Sequence, residues 1–68
     1  MMDDKYAFRN LRSSTGMTQV EFSKHMHIPV STYAKWEQGI SSPPGYVFGM
    51  MKKLLQMEGK IQNEQHNI

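Results

Sequence analysis

The chain contains no cysteine. That excludes disulfides, thiolate zinc sites and cysteine nucleophiles together, and it makes a cytoplasmic, nucleoid-associated location the natural expectation. No stretch approaches the roughly 20 apolar residues that a bilayer crossing needs. The opening Met1-Met2-Asp3-Asp4-Lys5 has no basic leader followed by an apolar run, so no secretory signal is expected. Acidic residues are scarce in the middle of the chain. Between residues 5 and 57 only Glu21 and Glu37 are acidic, against Lys5, Arg9, Arg12, Lys24, Lys35, Lys52 and Lys53. The net charge of +2 understates how basic that stretch is, and it permits a nucleic-acid partner without demanding one. Catalytic patterns are missing as well. There is no Ser-His-Asp order, no pair of acids in a pocket-forming context and no glycine-rich phosphate loop. A chain of 68 residues also struggles to enclose an active site. Neither an enzyme nor a cofactor is expected.

What is present reads as one small all-helical domain, whose modest core leaves a thin stability margin that association would widen. An N-terminal arm over residues 1–5 precedes a first helix over 6–13, with Phe8, Leu11 and the methylenes of Arg12 on one face. Thr15-Gly16 breaks it. Thr18 and Glu21 then form a T-x-x-E capping box that starts a second helix over 18–26, burying Phe22 and Met26 beside small Ser23. Pro29 opens a third helix over 29–38. Its Tyr33 and Trp36 face inward as core rather than as stacking platforms, and Val30, Ser31, Ala34, Lys35 and Gln38 lie on the other side. Gly39 supplies a C-cap, and Ser41-Ser42-Pro43-Pro44 punctuates a loop. A fourth helix over 44–58 carries a broad apolar stripe of Tyr46, Val47, Met50, Met51, Leu54, Leu55 and Met57. A polar tail occupies 59–68. The pair His25 and His27, without cysteine or clustered carboxylates, reads as surface and turn histidines and not as a metal site. Met17, Met26 and Met50 are most simply core.

Two short helices joined by a tight turn, the second with a small polar outer face, form a helix-turn-helix. Its second helix suits a major groove about 12 Å wide. The ordered set Leu11-Arg12, Gly16-Met17-Thr18-Gln19, Phe22-Ser23, Ile28-Pro29-Val30-Ser31-Thr32, Trp36-Glu37-Gln38-Gly39 and Pro44 resembles the lambda-repressor-like, XRE-type helix-turn-helix family. Within it, I-P-x-x-T-x-x-x-W-E-Q-G is similar to the branch of small antitoxin-type and phage-type autorepressors. The resemblance implies a compact four- to five-helix fold and a structural ion pair between Arg12 and Glu37. It implies base reading by Val30, Ser31, Ala34 and Lys35. It also implies phosphate contacts from Thr18, Gln19, Lys24, Thr32, Gln38, Ser41 and Ser42. Departures are visible: Pro29 stands where a Ser or Thr cap is common, Ile40-Ser41-Ser42 lacks basic residues, and His27 takes a turn position that usually holds glycine.

The partner implied is double-stranded DNA carrying an inverted-repeat operator, bound by a homodimer that represses its own operon. An anti-CRISPR-associated regulator would look much the same. Met51, Leu55 and Met57 exceed what one small core should need and are the expected dimer contact. The alternative is a protein-interaction module, chiefly an antitoxin that neutralises a cognate toxin through the fourth helix and tail.

Overall fold

The computed structural model describes residues 4–62. The expected arm and tail therefore lie largely outside the described residues. Four α-helices follow one another: α1 over Asp4–Thr15, α2 over Gln19–His25, α3 over Val30–Gln38 and α4 over Gly45–Met57, with no strand among the described residues. Each sits where the sequence signals place it, with shifts at the ends. Helix α1 is longer than expected. Its last turn is held by the Ser14 hydroxyl donating to the Asn10 carbonyl at 3.0 Å and the Thr15 hydroxyl donating to the Arg12 carbonyl at 2.6 Å. Pro29 and Pro44 stand just outside α3 and α4 rather than in their first turns, because their ψ angles of 136° and 148° are extended.

The capping box forms in full. The Glu21 N–H donates to Thr18 Oγ1 at 3.1 Å, and the Thr18 N–H donates to Glu21 Oε1 at 2.9 Å. Three helices then end alike. After α2, α3 and α4 the chain turns through a left-handed residue, and the next N–H reaches back five residues: Ile28 to Ser23 at 2.8 Å, Ile40 to Lys35 at 3.0 Å and Lys60 to Leu55 at 2.9 Å. Gly39 and Gly59 take that left-handed place without strain. His27 takes it at φ 61°, where a Cβ crowds the following carbonyl. Replacing His27 with Gly is expected to stabilise the fold by about 0.5–1 kcal/mol, the relief of strain exceeding the added unfolded-state entropy. Denaturant melts check this; a destabilised variant would show that the imidazole compensates.

The core is built from Phe8, Leu11, Phe22, Tyr33, Met51 and Leu55, all buried. Phe8 is its hub. Its ring lies 6.1 Å from Tyr33 and 5.2 Å from Phe48 in edge-on geometry, tying α1 to both α3 and α4. The Tyr33 hydroxyl donates to the Phe8 carbonyl at 3.2 Å, so its polar end is satisfied inside the core.

The rotation of α4 corrects the expectation drawn for its apolar stripe. Met51 is 6% exposed and Leu55 fully buried, so both belong to the core of the single chain. Met50, expected inside, is exposed instead. Phe48 decides the matter: docked on Phe8, it turns the 48, 51, 55 edge inward and leaves Tyr46, Met50, Leu54 and Met57 outward, each 40–75% exposed. Of the three residues expected at a dimer contact, only Met57 is exposed in the single chain, while Met51 lines the open groove beside α4.

Candidate nucleic-acid interface

Helix α3 presents its outer face as the sequence pattern implies. Val30, Ser31, Lys35 and Gln38 are exposed, while Ala34 and Thr32 are half-buried. Residues 30, 31, 34 and 35 recur at helical spacing and so share one face. Ser31 and Lys35 are short and long polar groups flanked by the apolar Val30. A lysine suits guanine O6 and N7, a serine adapts to either donor or acceptor, and Val30 or Ala34 suits a thymine methyl.

The inner face of the same helix is braced by charge. Arg12 from α1 meets Glu37 from α3 in a two-point contact, Nε to Oε2 at 2.6 Å and Nη2 to Oε1 at 3.2 Å. Arg12 Nη1 also donates to the Met17 carbonyl at 3.0 Å, pinning the segment that leads into α2. The Glu37 side chain is 3% exposed and that of Arg12 19%. Burial alone would raise the Glu37 carboxyl, but hydrogen bonding, first from Arg12, holds it down to about 2. Burial pushes the Tyr33 phenol up, so it stays protonated beside this pair.

The residues expected on phosphates are not equivalent. Lys24, Gln38, Ser41 and Ser42 are exposed. Thr18 is exposed but its oxygen serves the capping box. Gln19 is tied inward, its Nε2 donating to Glu37 Oε1 at 2.9 Å. That bond is invisible in the sequence, because it depends on how α2 crosses the end of α3. His25, read as a surface histidine, lies with Nε2 2.7 Å from Glu58 Oε1, linking the end of α2 to the end of α4. Among the described residues no three His, Asp or Glu side chains gather as metal ligands.

A family model described as helix-turn-helix, HTH_3, matches residues 8–58. The chain belongs to that family, of the XRE, lambda-repressor-like type. Its fold is the corresponding all-α domain, and this helix-turn-helix protein is a DNA-binding transcription regulator. No curated protein and no solved structure gives a match. Within this family member α2 and α3 are the paired helices, and the Arg12–Glu37 contact fastens α3 to α1 from behind. No helix among the described residues is long and apolar enough to cross a membrane.

Proposed function

We infer that this helix-turn-helix protein is a sequence-specific repressor that binds an inverted-repeat operator as a homodimer and controls its own promoter. It acts from the cytoplasm, by steric exclusion and without catalysis. The observation that carries this reading is the outer face of α3, where Val30, Ser31 and Lys35 stand exposed on a helix whose other face is locked to the core through Tyr33 and Glu37. Rigid backing with free readers is what base recognition requires.

Dimerisation follows from scale. One short helix reads only a few base pairs, and two copies double the contacts. Support for it comes from Tyr46, Met50, Leu54 and Met57, spaced at i, i+4, i+8 and i+11 along one exposed edge of α4. Tyr46, Met50 and Leu54 also line an open apolar groove of about 340 Å³ that includes Met26 and Trp36. The same groove would serve the antitoxin reading, in which a toxin takes the place of the second copy.

Gel shifts on the protein's own upstream region test the main reading. Lys35→Ala and Ser31→Ala are expected to weaken the cognate site by about 1–3 kcal/mol each while leaving random duplex nearly unchanged. Half-site centres should lie about 10–10.5 base pairs apart. Equal losses on cognate and random DNA would remove both residues from base reading.

A further inference from the structure

Glu37 braces α3 against α1, yet one of its oxygens is also committed elsewhere. Oε2 receives Arg12 Nε at 2.6 Å, while Oε1 receives both Arg12 Nη2 at 3.2 Å and Gln19 Nε2 at 2.9 Å. An ionised carboxylate only accepts hydrogen bonds. Gln19 must therefore turn its NH₂ group, and not its carbonyl, toward Glu37. The flip state of the amide is thereby fixed, which a solvated glutamine would not achieve.

Resting on the DNA-binding reading above, we propose that Glu37 is a positioning residue for DNA: it holds the Gln19 amide so that its second N–H is presented to a backbone phosphate. An NH₂ group has two hydrogens, and one satisfies Glu37. The other remains for a second anionic acceptor. Two anions sharing one amide would ordinarily repel, but Arg12 neutralises the inner one through its two-point contact. Gln19 is half-buried, and its Nε2 is held at 2.9 Å from Glu37 Oε1. The rotamer ordering that a free glutamine would undergo on binding is already complete in the free protein. The ion pair that fastens the helices thus also sets the grip on the duplex.

The test is a double-mutant cycle on the full chain, using a duplex of random sequence and about 20 base pairs, the length that two half-sites would occupy. Fluorescence anisotropy is read below the melting temperature of every variant. Gln19→Ala is expected to weaken binding about tenfold, as for a lost hydrogen bond to a charged group. Glu37→Gln, whose amide no longer dictates the orientation of Gln19, should lose a similar factor. The double variant should lose about tenfold again rather than the roughly hundredfold of independent effects. A merely structural Glu37 would give multiplied losses, and that result overturns the proposal.

Gln19→Glu supplies a second readout that leaves the Arg12–Glu37 pair intact, and it decides the matter if Glu37→Gln does not fold. A carboxylate placed within hydrogen-bonding distance of Glu37 should take up a proton well above the ordinary carboxylate range. Its DNA affinity should then climb as pH falls toward 5 and meet that of Gln19→Ala. A flat profile from pH 8 to pH 5 would show that side chain 19 does not face Glu37 in the working protein. Wild-type protein that binds no duplex would instead refute the DNA reading itself.

Discussion

Arg12→Ala is expected to destabilise the domain by about 3–5 kcal/mol, the largest loss of any single surface-reaching residue. It strands Glu37, whose side chain is 3% exposed, with neutral hydrogen-bond partners and no balancing charge. Glu37→Ala should cost less, about 2 kcal/mol, because Arg12 is 19% exposed and can turn its guanidinium toward water. A domain of 68 residues has a total stability of roughly 3–10 kcal/mol. The arginine variant should therefore be partly unfolded at room temperature, while the glutamate variant melts early but cooperatively. Replacing both with apolar residues of similar volume should recover most of the loss. Thermal melts followed by circular dichroism decide this, and equal melting of both single variants with wild type would mean the pair is loose.

The same pair sets an acid limit. Glu37 has a folded-state value of about 2 against an ordinary 4.5, so the folded form holds its carboxylate more strongly than the unfolded chain does. Its contribution is complete above pH 4.5 and is lost as pH falls toward 2. Glu37→Gln should flatten the dependence of melting temperature on pH across that window.

Met50→Glu or Leu54→Glu is expected to give a monomer with full helical content and operator affinity reduced by two orders of magnitude or more. Both side chains are exposed in the single chain, so the charge meets water and not the core. On the homodimer proposed above, losing the second copy would remove half the DNA contacts, whereas phosphate repulsion from one added charge would be screened by salt. Leu55→Glu is a different experiment: Leu55 is fully buried, and that variant should unfold. Light scattering alongside gel shifts separates the cases. A Met50→Glu protein that stays dimeric and binds normally would send the dimer contact elsewhere.

The contrast between Met50 and Leu55 shows how far the sequence reaches. Local chemistry was legible: Thr18 and Glu21 specify a capping box without help from the rest of the chain, and it forms. Tyr33 and Phe22 sit inside because their neighbours in each helix are polar. The face of α4 was not legible, because apolar residues cover so wide an arc that periodicity leaves its rotation undetermined. Packing of Phe48 on Phe8 selects one edge, and that contact joins residues forty positions apart. The Arg12–Glu37 contact came from family resemblance and holds. The Gln19 bond to the same carboxylate had no sequence signature, since nothing in an isolated α2 tells where the end of α3 will lie.

The left-handed residues that close α2, α3 and α4 have a kinetic consequence. The turns after α2 and α3 redirect the chain within a few residues, so most contacts are local, and the longest closure named above, Phe48 on Phe8, spans forty positions. Small helical domains of such local architecture fold in microseconds to milliseconds. Synthesis at about 5–20 residues per second occupies several seconds for a chain of this length. A newly made copy is then folded almost as soon as it is released. If the protein silences its own promoter, the delay in that feedback is set by translation and by the meeting of two chains, and concentration becomes the clock.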